Sequence, residues 1–194
     1  MFWNKKKNQM PSDISRAKEL YFKYGGNTFH MYREGDSKEY ESYNINKEQE
    51  KEWDIEQFEE ALNKIDINDW NLIYPLTYLI QTHLIDEYLE KLLNLISKNF
   101  DSINNQYMAY RIGQEVFSLV HWFSRNKENT PRELKLRCIY TSENLAALAK
   151  DLTIPEGFEI PYFSQISDGQ TPEVYILRSI GALETNLEIA KILR

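Results

Sequence analysis

One residue able to move a proton near neutral pH stands in polar company. His30 lies in Thr28-Phe29-His30-Met31-Tyr32-Arg33-Glu34-Gly35-Asp36, with Arg33, Glu34 and Asp36 close behind it. A histidine titrates near neutral pH and can serve as a general base, and a neighbouring carboxylate orients its ring. Hydrolase-like chemistry at this 30–36 loop would also need a nucleophile or metal and an oxyanion donor in mutual geometry. Gly25-Gly26-Asn27 offers backbone amides, but a double glycine after a helix reads first as its C-cap. Structural or binding use of His30 is the leading expectation, and a hydrolase of unrecognised type is the alternative.

The other chemical candidates reduce to structure. His83 in Gln81-Thr82-His83-Leu84 falls at a helix end, where a cation is mildly favoured. His121 in Leu119-Val120-His121-Trp122 is expected to pack beside Trp122. Neither has a histidine or cysteine at ligand spacing, so no metal site is predicted. Asp66, Asp69 and Asp86 are too dispersed for an EF-hand. Gly25-Gly26 lacks the Lys-Ser or Lys-Thr of a phosphate loop, and Asp168-Gly169-Gln170 reads as a turn. No cofactor and no catalytic residue is assigned. Cys138, the single cysteine, is expected as a packed helical thiol and cannot close an intramolecular disulfide.

Helices must position these residues. Apolar positions at three-and-four spacing predict helices over about 12–24, 47–65, 86–99, 105–125, 131–150 and 172 to the end, with a possible kink at Gly181. Ser12 and Asp13 are expected to cap the first, and Asn46 with Gln49 forms a capping box for the second. Another helix ends near Gln81, with Asp69 as a candidate cap and Pro75 expected to fix its start. Thr130-Pro131-Arg132-Glu133 and Thr171-Pro172-Glu173 read as helix starts. Residues 27–44 have no period and are expected as an irregular loop. Residues 153–170 read as a connector, with a small hairpin over 158–166 as the less favoured option. The fold class is all-α: antiparallel helix pairs, either α-solenoid, HEAT-like, or an irregular bundle. No repeat period is visible.

Length and composition predict one domain over residues 1–194, with 1–11 as a flexible tail, burying roughly 70% of the unfolded surface. Met1-Phe2-Trp3-Asn4-Lys5-Lys6-Lys7 leads into no apolar h-region, and no stretch is apolar enough to span a bilayer. A cytoplasmic protein with no membrane role follows as the expectation.

Charge is the most informative pattern. The net charge is −7, yet residues 34–60 alone hold eleven acids and three bases, a balance of −8. The first 24 residues carry +4, and residues 121–150 carry +3. With no coherent basic face, nucleic-acid binding is not predicted. Tyr32, Tyr40, Tyr43 and Trp53 interleave with Glu34, Asp36, Glu48, Glu52 and Glu56. Exposed carboxylates steer a basic partner and rigid aromatics anchor it. With His30 and Arg33, these residues form the expected partner-binding surface of a non-enzymatic module. The plainer alternative is a solvated helix face whose aromatics point inward.

The stretch Thr28-Phe29-His30-Met31-Tyr32-Arg33-Glu34-Gly35, followed by Glu39-Tyr40, Tyr43-Asn44-Ile45-Asn46-Lys47-Glu48 and Trp53, resembles the N-terminal signature of an uncharacterised bacterial family of small helical, HEAT-like proteins. The resemblance covers about 30 residues and implies a helical fold with no established activity. Some proteins of this general type accompany polymorphic toxins, which makes an immunity role an expectation to test.

Overall fold

The computed structural model describes residues 11–192, apart from Leu84, Glu128, Pro161, Tyr162 and Ser167. The chain is all-α. The described residues form ten α-helices and one 3₁₀ turn, with no strand among them. Contacts divide the chain into two compact units, the first ending at Asn63 and the second beginning at Lys64.

The first unit holds α1 (Pro11–Lys23), α2 (Thr28–Glu34), α3 (Ser37–Ser42) and α4 (Lys47–Asn63). Ala17, Leu20 and Tyr21 of α1 pack with Met31, Tyr40 and Trp53 as one buried cluster. The stripe that three-and-four spacing predicts for α1, Ile14, Ala17, Leu20, Tyr21 and Tyr24, is buried at its centre, with Tyr24 half-buried and Ile14 exposed. Gly25 and Gly26 end the helix at φ +56° and +72°, with the Gly26 N–H donating to Tyr21 O. A Cβ on Gly26 would lie 2.7 Å from the Tyr21 ring and hydroxyl, so this turn needs glycine twice over.

Residues 27–44, expected as an irregular loop, are two short helices. Their signals are local rather than periodic. The Asn27 side chain caps α2 by accepting from the His30 N–H, and Gly35 closes it at φ +88°. Helices of six and seven residues are too short to show a stripe, which is why the pattern read as aperiodic. At α4 the capping box is half formed. Asn46 accepts from the Gln49 N–H, but the Gln49 side chain donates to Glu52 instead of reaching back.

The second unit holds α5 (Trp70–His83), α6 (Asp86–Asn99), the 3₁₀ turn Phe100–Ser102, α7 (Gln106–Asn126), α8 (Arg132–Asp151), α9 (Phe163–Ile166) and α10 (Pro172–Ile192). Pro75, expected at the start of α5, sits inside it. It lies just past the first turn, where its missing N–H forgoes one helical bond, and Ile73, Leu76, Leu79 and Ile80 keep the helix packed on the core. Thr130 does not cap α8: its hydroxyl donates to Lys127 O, and the helix opens from the carbonyl of Pro131. The 158–166 hairpin is absent among the described residues, and Phe163–Ile166 is a helical turn.

The stripe of α6 is buried as the sequence predicts. α7 and α8 run antiparallel. The Gln106 Nε2 donates to Ala149 O at one end, and midway Gly113 approaches Leu145 and Ser142. Lys150–Glu184 and Lys191–Glu143 pair α8 with an antiparallel α10. Cys138 is buried between helices, and burial pushes its thiol up to about 12, far from a reactive thiolate. No helix among the described residues is long and apolar enough to cross a membrane.

Candidate functional site

The acidic segment occupies α2, α3 and α4, and α1 brings cations to it. Arg16 Nε lies 2.9 Å from Glu39, Lys18 Nζ 2.5 Å from Glu56, and Lys23 Nζ 2.9 Å from Asp36. Within the segment, Arg33 pairs with Glu34 and Lys47 with Glu50. At least five of the eleven carboxylates therefore meet a cation. The +4 of the first 24 residues and the −8 of residues 34–60 are, in part, the two sides of one set of ion pairs. Over residues 11–63 a net charge of −6 remains.

Buried groups account for more of the pattern. Asp54 is only 3% exposed and accepts a 2.7 Å hydrogen bond from the Tyr21 hydroxyl. Tyr40 is buried beside Tyr21 and donates to Glu50 at 2.8 Å. Trp53 packs 5.4 Å from the Tyr21 ring. Burial, reinforced by the Asp54 and Glu50 carboxylates, raises the Tyr21 and Tyr40 hydroxyls well above the ordinary tyrosine range. Tyr40 and Trp53 are thus core residues, a correction to their place on the expected contact surface. Tyr43 is half-buried and donates to Glu39.

Other expected residues do face water. Tyr32 is 75% exposed on α2, and Arg33, Glu34, Glu48, Glu52 and Glu56 are exposed. Phe29, absent from the expected surface, is 67% exposed one turn before Tyr32 and Arg33. The apolar periodicity that flags buried residues does not distinguish an exposed aromatic on a seven-residue helix. Only its place in the aromatic-rich stretch around Tyr32 hinted at it.

His30 is half-buried, with its ring edge-on to Phe29 at 5.8 Å. It shares a cavity of about 370 Å³ with Lys23, Tyr24, Arg33 and Glu34. Neither nearby carboxylate orients its ring. Asp36 accepts from Tyr24 at 2.6 Å and from Lys23, which hold it below the usual carboxylate range. Glu34 is committed to Arg33. His121 is exposed and lies edge-on to Phe117 at 5.0 Å, while Trp122, its expected companion, is also exposed. No group of three or more His, Cys, Asp and Glu among the described residues could hold a metal ion.

The second unit carries two larger grooves. One, about 450 Å³, lies between α7 and α10, and its lining includes Gln114, His121 and Asn186 and no Asp, Glu, Lys or Arg. The other, about 570 Å³, lies between α6 and α8 and includes Asp101 and Asp151. No protein-family model, no curated protein and no solved structure matches the chain.

Proposed function

We propose that this chain is a non-enzymatic protein-binding module, an immunity, inhibitor or regulatory protein for a basic partner, with α2 as the contact. The supporting observation is the exposure of Phe29 and Tyr32 on a helix capped at both ends by Asn27 and Gly35. Rigid aromatics held out in water add large contact area at little entropic cost. Exposed Glu41 on α3 and Glu48 and Glu52 on α4, which have no ion pair among the described residues, supply negative charge that steers a cationic protein. A nuclease toxin is the kind of partner this chemistry suits.

The test is capture of the partner from the native host, then titration of the purified partner. Phe29→Ser with Tyr32→Ser is expected to weaken binding about 30-fold or more, the loss of a hot spot of roughly 2 kcal/mol. Glu41→Lys, Glu48→Lys and Glu52→Lys together should slow association most at low salt. Glu56 is left alone because it holds Lys18. Unchanged affinity in both variants removes the proposal.

The hydrolase alternative has one observation behind it, the cavity that His30 shares with Arg33 and Glu34. With both carboxylates engaged elsewhere, His30 lacks its orienting partner, and the binding reading is the better supported.

A further inference from the structure

The seam between α6 and α8 changes character along its length. Near its beginning, Arg137 of α8 reaches across to α6, with Nη1 3.3 Å from Glu90 and Nη2 donating to Asn94 at 2.8 Å. A partly exposed guanidinium there bridges the two helices, satisfying a carboxylate and an amide together. Further along, α8 offers Thr141, Asn144 and Asp151, and the turn after α6 offers Asp101. Here the seam opens into the groove of about 570 Å³. Phe100 and Leu148, both half-buried, give it apolar walls. Asp101 and Asp151 are exposed and have no ion pair among the described residues. Lys150, next to Asp151, is committed to Glu184, and neither it nor Lys98 lines the groove.

We propose that the open end of the α6–α8 seam is a docking groove for a cationic segment of a partner protein, which places an arginine between Asp101 and Asp151. Arg137 shows how a guanidinium bridges these two helices when the chain supplies one. At the open end the carboxylates and side-chain amide are retained but the cation is not supplied by the chain itself. The apolar walls receive the methylene stem of such a side chain, and Thr141 and Asn144 provide acceptors for its remaining N–H groups. An arginine suits the site better than a lysine because its planar fork can satisfy acceptors on two helices at once. The groove lies in the second unit, so its occupancy and the role of α2 can fail separately.

The experiment is a two-dimensional NMR titration of the full chain with a blocked peptide carrying arginine and leucine at helical spacing. Its counterpart has citrulline, of the same shape but uncharged, in place of each arginine. Expected are shifts confined to residues 96–101 and 141–151, with affinity about tenfold lower for the citrulline peptide at low salt. Asp101→Asn with Asp151→Asn should reduce arginine-peptide affinity by about the same factor while leaving the rest of the spectrum unchanged. Arg137→Ala should lengthen the footprint to Glu90 and Asn94, the groups it uncovers. Equal binding of the two peptides, a footprint elsewhere, or no binding at millimolar peptide would each overturn the proposal. Variants in Phe29 and Tyr32 should not affect this titration.

Discussion

Removing one oxygen from Tyr21 tests the account of the first unit. Tyr21→Phe keeps the ring against Trp53 and Tyr40 but takes away the hydroxyl that donates to Asp54 at 2.7 Å. A hydrogen bond to a charged group is worth about 1.5–3 kcal/mol, and more is at stake when the carboxylate left behind is buried. Asp54 has a further interaction besides Tyr21, which places the expected loss near 2 kcal/mol. A unit of roughly 50 residues has about 3–8 kcal/mol to lose, so this is a large share. Hydrogen exchange over residues 14–62, read against urea, separates this unit from the rest of the chain. Asp54→Asn closes a double-mutant cycle, and a coupling of more than about 1 kcal/mol is expected between the two changes. A Tyr21→Phe loss below about 0.5 kcal/mol, or additive single changes, would show that the hydroxyl does not hold the carboxylate.

Two further predictions address packing and pH. Gly113→Val places a Cβ 3.2 Å from Leu145 Cβ and 3.4 Å from Ser142 O, so overpacking should cost about 1–3 kcal/mol. Gly181→Ala meets nothing within 4 Å and should stabilise by about 0.5–1 kcal/mol; melting temperatures of the pair should move in opposite directions. Because folding raises the Tyr21 and Tyr40 hydroxyls, the folded state holds their protons more tightly than the unfolded state. That contribution is complete below the ordinary tyrosine value of about 10 and is lost as pH rises above it. Urea midpoints should therefore fall as pH rises above about 10, and Tyr21→Phe with Tyr40→Phe should flatten the fall; an unchanged slope would contradict the burial of these hydroxyls.

The long helices could be read from the sequence because their stripes repeat over three turns or more. Tyr88, Leu89, Leu92, Leu93 and Ile96 of α6 are all buried as their spacing requires. What escaped were features written in one or two residues. Asn27 and Gly35 define α2 through a side-chain cap and a left-handed turn, neither of which leaves a periodic trace. Thr130-Pro131 looked like a cap and first helical residue, yet the threonine hydroxyl found a carbonyl behind it, and proline became the residue from which the helix opens. Side chains that hydrogen-bond locally have several near-equal options, and tertiary packing selects among them.

Charge bears on recognition in a similar way. A run of carboxylates counted along the chain cannot reveal which of them another helix will meet. Arg16, Lys18 and Lys23 lie in α1, and folding sets them against Glu39, Glu56 and Asp36. Such exposed pairs add little stability, typically under 1 kcal/mol each, but they reduce the field that a partner feels. On the binding reading proposed above, long-range steering would fall to Glu41, Glu48 and Glu52, and short-range affinity to the aromatics that α2 leaves in water. Among the aromatics of the acidic segment, Tyr40 and Trp53 are spent on the core, and Tyr32 is turned outward beside Phe29. The proposed reading therefore predicts a partner whose affinity tolerates moderate salt while its association rate does not, because the proposed anchor is aromatic and the approach electrostatic; an affinity lost as steeply as the rate would refute it.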